Sequence, residues 1–173
     1  VIFPPSTVKA GTALTVDGGN ITIDSADDSI HTNDTVTING GKFQIKAGDD
    51  GIHADSALVI NGGDINITES YEGLEAADIT INDGNINLVA SDDGLNAAGG
   101  NDTSQSAGVF GGDKFSASNG TITINGEYIV IDVAGDGVDS NGSITMTNGT
   151  VIVNGPENSG NGALDYDTTF DIS

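Results

Sequence analysis

The sequence predicts an all-β fold, a right-handed three-sided parallel β-helix (solenoid) of about six to seven coils, and three observations predict it. A two-strand unit is restated along the chain, an acidic corner recurs at the same step, and apolar positions within each unit alternate with a period of two. Read from each aliphatic-x-aliphatic start, LTVDGGNITI (Leu14), VTINGGKFQI (Val36), LVINGGDINI (Leu58), ITINDGNINL (Ile79), ITINGEYIVI (Ile122) and ITMTNGTVIV (Ile144) superimpose. Their starts differ by 22, 22, 21, 43 and 22 residues. The corner residues Asp28, Asp50, Glu72, Asp93 and Asp136 differ by 22, 22, 21 and 43. Two independent features share one period, so the repeat is a structural unit.

Within the unit that begins at Val36, Val36 and Ile38 point one way, Asn39, Gly40 and Gly41 turn the chain, and Phe43 and Ile45 point the same way as the first pair. Ile52, after the acidic corner, is a further apolar position and supplies the third side of the coil. One such unit cannot bury its apolar face alone. Stacking aligns Leu14/Val36/Leu58/Ile79/Ile122/Ile144 and Ile21/Phe43/Ile65/Ile86/Ile129/Val151 into continuous core columns. A coil of 22 residues suits the right-handed three-sided form, since left-handed hexapeptide helices need about 18, and the calcium-binding nonapeptide of β-rolls is absent.

At the bend, Asp17, Asn39, Asn61, Asn82 and Asn125 form a column whose side chains can bond one another along the axis, with glycine supplying positive φ. The doubled interval contains GGNDTSQSAGVFGGDKFSASN, which has no pair of alternating strands. It reads as one long excursion loop near 99–119, and loops of that length are commonly functional. Because it follows the acidic corner directly, the loop is expected to fold over that face.

Length and composition set the class. With 173 residues the chain, 1–173, makes one domain. A net charge of −22 repels nucleic acid and anionic membrane surfaces. There is no cysteine, hence no disulfide, thiol catalysis or Cys-ligated zinc, and no apolar run reaches membrane-spanning length, so membrane insertion is not expected. The opening VIFPPS has neither an initiator Met nor a signal-peptide pattern, from which a trimmed piece of a longer precursor is expected.

The acidic corner carries the chemistry. Stacked strands lie about 4.8 Å apart, and two charges at that distance repel by about 3 to 4 kcal/mol at an effective dielectric near 20. One edge nevertheless carries Asp27, Asp28, Asp49, Asp50, Glu72, Asp92, Asp93 and Asp136, with Glu75, Asn96 and Asp139 three positions further along their coils. Like charges stacked in register destabilise a sheet, whereas a cage of Asp, Glu and Asn oxygens is what Ca²⁺ accepts, in about six to eight ligands of flexible geometry. A solvated acidic edge is the plainer alternative, and the repetition of the costly pair favours the cation. His31 and His53 occupy the Glu75 and Asn96 position in their own coils; with no thiol or third His beside them they read as structural corner residues rather than a zinc site.

The stretch SYEGLEAADITINDGNINLVASDDGLNAAGGND, preceded by GDDGIHADSALVINGG, resembles a bacterial secreted family of carbohydrate-binding domain proteins, right-handed β-helices similar to family 9 polysaccharide lyases. The likeness covers about Leu14 to Phe170. It implies an extracellular, calcium-binding protein that holds plant cell-wall polysaccharide, polygalacturonate (pectin) in particular and cellulose as a further ligand. Carried over by position, it implies Asp49, Asp50, Glu72, Glu75, Asp92, Asp93 and Asn96 as calcium ligands. The first corner, ADDSIHTND, and the last, SGNGALDYD, depart from the pattern.

Charge agrees with an acidic ligand, because a chain at −22 holds a polyanion only through bridging cations. Neutral glucans are usually met by an aromatic platform, and there is no Trp. Tyr71 beside the acids, Tyr128 on the outer side of a strand, Tyr166, and Phe110 and Phe115 in the loop are the candidates, with Tyr71, Phe110 and Lys114 assigned to the ligand. Whether the protein is an enzyme stays open. A pectate lyase needs a base to take the α-proton, and of Lys9, Lys42, Lys46 and Lys114 only Lys114 is placed to reach the acids, so a non-catalytic module is expected. A third alternative is an ice-binding or structural adhesin helix, from outward pairs such as Thr35/Thr37, Thr121/Thr123 and Ser143/Thr145, interrupted at Ala57/Val59 and Asp78/Thr80.

Overall fold

Alternating Ile, Val and Thr, punctuated by Asn-Gly turns, leaves the chain little choice but short strands, and stacking them in parallel is the way each coil buries its apolar side. The structure, a computed structural model, describes residues 7–97 and 119–173. Coil one comprises β1 (Val8–Ala10), β2 (Leu14–Val16) and β3 (Asn20–Asp24). Coil two has β4 (Ile30–Thr32), β5 (Thr35–Ile38) and β6 (Lys42–Lys46). In coils three and four the first two sides are one bent strand, β7 (Ile52–Ile60) followed by β8 (Asp64–Ile67), and β9 (Leu74–Ile81) followed by β10 (Asn85–Ala90). Coil five holds β11 (Leu95–Ala97), β12 (Thr121–Ile124) and β13 (Tyr128–Val133). Coil six has β14 (Val138–Ser140), β15 (Ser143–Met146) and β16 (Thr150–Asn154), and β17 (Leu164–Tyr166) and β18 (Phe170–Ile172) begin a seventh.

Every pairing among the described strands is parallel, and the result is the expected three-sided solenoid of about seven turns. The first face stacks β1-β4-β7-β9-β11-β14-β17, the second stacks β2, β5, β7, β9, β12, β15 and β18, and the third stacks β3-β6-β8-β10-β13-β16. Both predicted core columns form in register, Leu14↔Val36↔Leu58↔Ile79↔Ile122↔Ile144 and Ile21↔Phe43↔Ile65↔Ile86↔Ile129↔Val151. The doubled interval conceals no extra coil. β11 pairs with the first half of β9 and β12 with its second half, so the inserted stretch leaves from one corner and returns to it. The excursion itself, 98–118, lies outside the described residues. Among the described residues no helix is long and apolar enough to cross a membrane.

The bend column forms as predicted. Asn39 donates to Asp17 Oδ1, Asn61 to Asn39, Asn82 to Asn61 and Asn125 to Asn82, each at 2.8 Å, and Thr147 Oγ1 donates to Asn125 at 2.9 Å. Asn61→Ala removes two of these exposed bonds and is expected to lower stability by about 1 kcal/mol, read from the shift of a denaturant midpoint at constant slope.

Candidate metal centre along the acidic corner

The acids sit where the third face turns into the first. Two corners, at Asp49 and Asp92, run acid, acid, glycine and aliphatic residue and the others vary this, and the residue after the aliphatic one points outward: His31, His53, Glu75, Asn96, Asp139 and Asp165 stack in one column, preceded by Lys9. In four corners the acid that precedes the turn into the first face uses one oxygen to hold the following coil. Oδ1 of Asp28 accepts the Asp50 backbone N–H at 3.2 Å, Oδ1 of Asp50 accepts that of Glu72 at 3.2 Å, Oδ1 of Asp93 accepts that of Asp136 at 2.6 Å, and Oδ1 of Asp136 accepts that of Gly162. At these four positions one oxygen thus ties a coil to the next, and the other meets a histidine at Asp28 and Asp50.

Oxygens and ring nitrogens gather into four groups whose ligand atoms lie within 4.8 Å of one another: Asp27/Asp28/Asp49, Asp28/His31/His53, Asp50/His53/Glu75 and Asp93/Asp136/Asp139. The lower groups already face basic side chains. Lys9 Nζ is 3.0 Å from Asp27, and His31 Nδ1 is 2.6 Å from Asp28 Oδ2. His53, fully buried, places Nδ1 at 3.2 Å from Asp50 Oδ2 and 2.8 Å from Glu75 Oε2, with Nε2 at 3.3 Å from Asp55. Burial pulls this imidazole down, but the hydrogen bonds to Asp50 and Glu75 outweigh it and hold it up at about 11. His31 and His53 stack at 4.7 Å.

Among the described residues the upper corner has no such base. Burial, with the neighbouring acids Asp92, Asp139 and Asp136, pushes Asp93 up to about 7, and burial together with Asp136 and Asp165 pushes Asp139 up to about 6. Glu72 and Glu75 are raised, first by burial and then, for Glu72, by the charges of Glu75 and Asp50 and, for Glu75, by Asp50 against the lowering effect of His53. Two buried oxygens beside these groups, Oε2 of Glu72 (7% exposed) and Oδ1 of Asn96 (3% exposed), have no hydrogen-bond partner. A buried oxygen without a donor costs about 1 to 3 kcal/mol, and a hard cation removes that cost by accepting both.

The family model for carbohydrate-binding domain-containing proteins matches residues 4–51 and 49–94, more than half of the chain. The chain belongs to this family. No curated protein matches it. Among solved structures the family member's fold is similar to that of a polysaccharide lyase-like protein from C. thermocellum, solved as a gadolinium derivative. The two are 21% identical with a TM-score of 0.70, over 99% of this chain and 71% of that one, and the likeness is one of fold.

Of the residues expected to bind metal, the structure brings Asp27, Asp28 and Asp49 into one group, Asp50 and Glu75 into a second with His53, and Asp93, Asp136 and Asp139 into a third. Glu72 and Asn96 stand in the corner and outward columns between the last two. Asp92 lies beside Tyr71, whose hydroxyl it raises by hydrogen bonding, with burial adding to the effect. Phe110, Phe115 and Lys114 lie outside the described residues. The other lysines are matched to acids, Lys9 to Asp27, Lys42 to Asp64 at 3.7 Å and Lys46 to Glu69; Lys9, not expected to reach the acids, does so as a rung of the first face. Sequence reasoning missed Asp165, because its coil is 26 residues on from Asp139 rather than 22, and it missed Asp55, which carries no repeat signal. On the second face Thr15, Thr37, Val59, Thr80, Thr123 and Thr145 stack in register, while the parallel column is broken by Ala57 and Asp78.

Proposed function

We propose that this family member binds Ca²⁺ along the acidic corner and, through it, acidic polysaccharide of the polygalacturonate type outside the cell, without catalysing its cleavage. The observation that carries the reading is the pair of orphaned buried oxygens, Glu72 Oε2 and Asn96 Oδ1, set among carboxylates stacked in register. Membership of a carbohydrate-binding family supports the ligand class. The net charge of −22 supports the role of the ion, since a polyuronate approaches this surface only if cations with open ligand positions face it.

The geometry also ranks the sites. Where His31, His53 and Lys9 already face the acids, a cation gains little, so Ca²⁺ belongs to the upper half of the corner, with Glu72, Asp92, Asp93, Asn96, Asp136 and Asp139 as its ligands. The non-catalytic reading is supported by the described lysines, each of which is matched to an acid, Lys9 to Asp27, Lys42 to Asp64 and Lys46 to Glu69.

Retention on polygalacturonate, compared in Ca²⁺ and in EDTA, tests this. Asn replacements keep the Oδ1 acceptor that ties one coil to the next and remove only the charge. Asp93→Asn is expected to weaken calcium-dependent retention at least about tenfold, roughly 1.4 kcal/mol, and Asp50→Asn by clearly less. Equal retention in EDTA sinks the reading; an Asp50→Asn effect as large as that of Asp93→Asn sinks the ranking.

A further inference from the structure

The corner at which the second face turns into the third, where the Asn ladder runs, changes its chemistry half-way along the stack. Two residues link the ladder to the third face in each of coils one to six. Coils one to three use Gly18-Gly19, Gly40-Gly41 and Gly62-Gly63, whereas coils four to six use Asp83-Gly84, Gly126-Glu127 and Asn148-Gly149. Three successive coils thus each add one oxygen-bearing side chain where the earlier coils have none. Backbone bonds fix the register: the Lys42 N–H donates to the Gly19 carbonyl, Asp64 to Gly41, Asn85 to Gly63, Tyr128 to Gly84 and Thr150 to Glu127. Glu127 therefore stands in the glycine column, and Asp83, Gly126 and Asn148 follow one another in the column before it.

Gly126 leaves a slot between Asp83 of the coil before and Asn148 of the coil after. A Cβ built on Gly126 stands 3.5 Å from Asn148 Nδ2 and 3.6 Å from the Asn82 carbonyl oxygen. Glu127 turns its carboxyl back toward this slot, because its Oε1 accepts the Gly126 N–H at 3.4 Å. Its Oε2 is buried and has no hydrogen-bond partner, and the residue is 7% exposed. Burial, opposed by the Gly126 N–H and helped by the charge of Asp83, pushes this carboxyl up to about 7. The charged group that Glu127 feels is thus a second acid, not a base. A buried carboxylate oxygen without a donor is costly, and neither glycine nor the ladder amides relieve it.

We infer that Asp83, Glu127 and Asn148 hold a hard divalent cation at the ladder corner, a structural site separate from the acidic corner, with Glu127 Oε2, an Asp83 carboxylate oxygen and the Asn148 amide oxygen as its protein ligands. Two carboxylates and an amide, with no His or Cys among them, suit an ion of the Ca²⁺ or Mg²⁺ kind rather than Zn²⁺, and water completes the shell. Asn148 is exposed, so a half-turn of its amide presents Oδ1 in place of Nδ2. The position explains the use. Asp83 and Glu127 lie on opposite sides of the 98–118 excursion in sequence, and an ion between them clamps coil four to coil five at the one interval where the 22-residue count is interrupted.

The test titrates Ca²⁺, and separately Mg²⁺, into the whole chain and follows backbone amide resonances by NMR. At least one of the two ions is expected to shift Gly126, Glu127 and Gly149 along one saturating curve, while Gly41 and Gly63, at the same corner of the glycine-only coils, stay in place. Glu127→Gln keeps the shape of the side chain and removes its charge, and it is expected to weaken this binding at least tenfold. Asp83→Asn is expected to do the same from an exposed position that leaves the core untouched, so the test stands even if Glu127→Gln does not fold. Shifts of Gly94 and Gly137, at the acidic corner, are expected to be the same in both variants as in the parent. The inference is overturned if neither ion moves Gly126, Glu127 and Gly149, or if either folded variant binds at this corner as tightly as the parent. Loss of the Gly94 and Gly137 shifts alone counts against the calcium reading of the acidic corner and leaves this one standing.

Discussion

Removing divalent ions with EDTA at pH 8 is expected to lower the melting temperature by roughly 5 to 10 °C for each ion held at a hundredfold excess over its Kd, because ions that bind only the folded stack stabilise it by mass action. The same treatment at pH 4.5 is expected to do little. Asp93 and Asp139 are raised to about 7 and about 6 by burial and by neighbouring acids. A carboxyl raised in the folded state contributes stability below its unfolded pKa and loses it as pH rises through the folded one. The ion-free protein is therefore more stable at pH 4.5 than at pH 8, and the loss runs from about 4, where the unfolded carboxyls ionise, up to the folded values of about 6 and about 7. His53 acts in the same sense, since a base held at about 11 adds stability that declines only as pH rises above its unfolded value. Thermal melts at both pH values, with and without EDTA, check this. Identical curves at pH 8 exclude the ion.

Gly94→Ala is expected to cost about 3 kcal/mol or more and to melt the stack from its centre. Gly51, Gly73, Gly94 and Gly137 follow the inner acid in successive corners, and a Cβ built on them falls 2.4 to 2.6 Å from the carbonyl oxygen of the next coil. At Gly94 it also meets Ile131 Cγ2 at 2.6 Å. None of the four has positive φ, so they are needed for the close approach of one backbone to another rather than for a turn. Gly18→Ala is the control. Its Cβ meets nothing within 4 Å, its φ is ordinary, and no more than a few tenths of a kcal/mol is expected. Chemical denaturation of the two variants side by side separates them. A Gly94→Ala protein as stable as Gly18→Ala refutes the steric account.

The fold was legible because a coil repeats everything at once: apolar alternation, turn residues and corner acids share one spacing, so the columns from Leu14 to Ile144 and the Asn ladder could be aligned before any coordinates. The corner acids were legible as a set for the same reason. Their division of labour was not, because the Oδ1 oxygen that accepts the next coil's amide depends on backbone positions that no spacing encodes. The histidines read as bland corner residues since sequence gives their column but not their contacts, and it is the hydrogen bonds to Asp50 and Glu75, outweighing burial, that turn His53 into a resident cation. Tyr128 drew notice as an exposed aromatic, yet the amides on its face, Gln44, Asn66 and Asn87, come from three earlier coils, and only stacking brings them together. Asp165 escaped because a longer corner breaks the count on which the pattern depends.

The Asn ladder has a direction. At its base Asp17 accepts from Asn39, which leaves the Asn39 oxygen facing up to receive Asn61, and the same orientation passes through Asn82 and Asn125 to the hydroxyl of Thr147. The corner acids point the same way, each later coil giving an N–H to an earlier carboxylate. A finished coil therefore presents a row of waiting acceptors to the segment made after it. Growth in the order of synthesis meets a template at every step, while a coil offered upside down finds acceptor against acceptor and is refused.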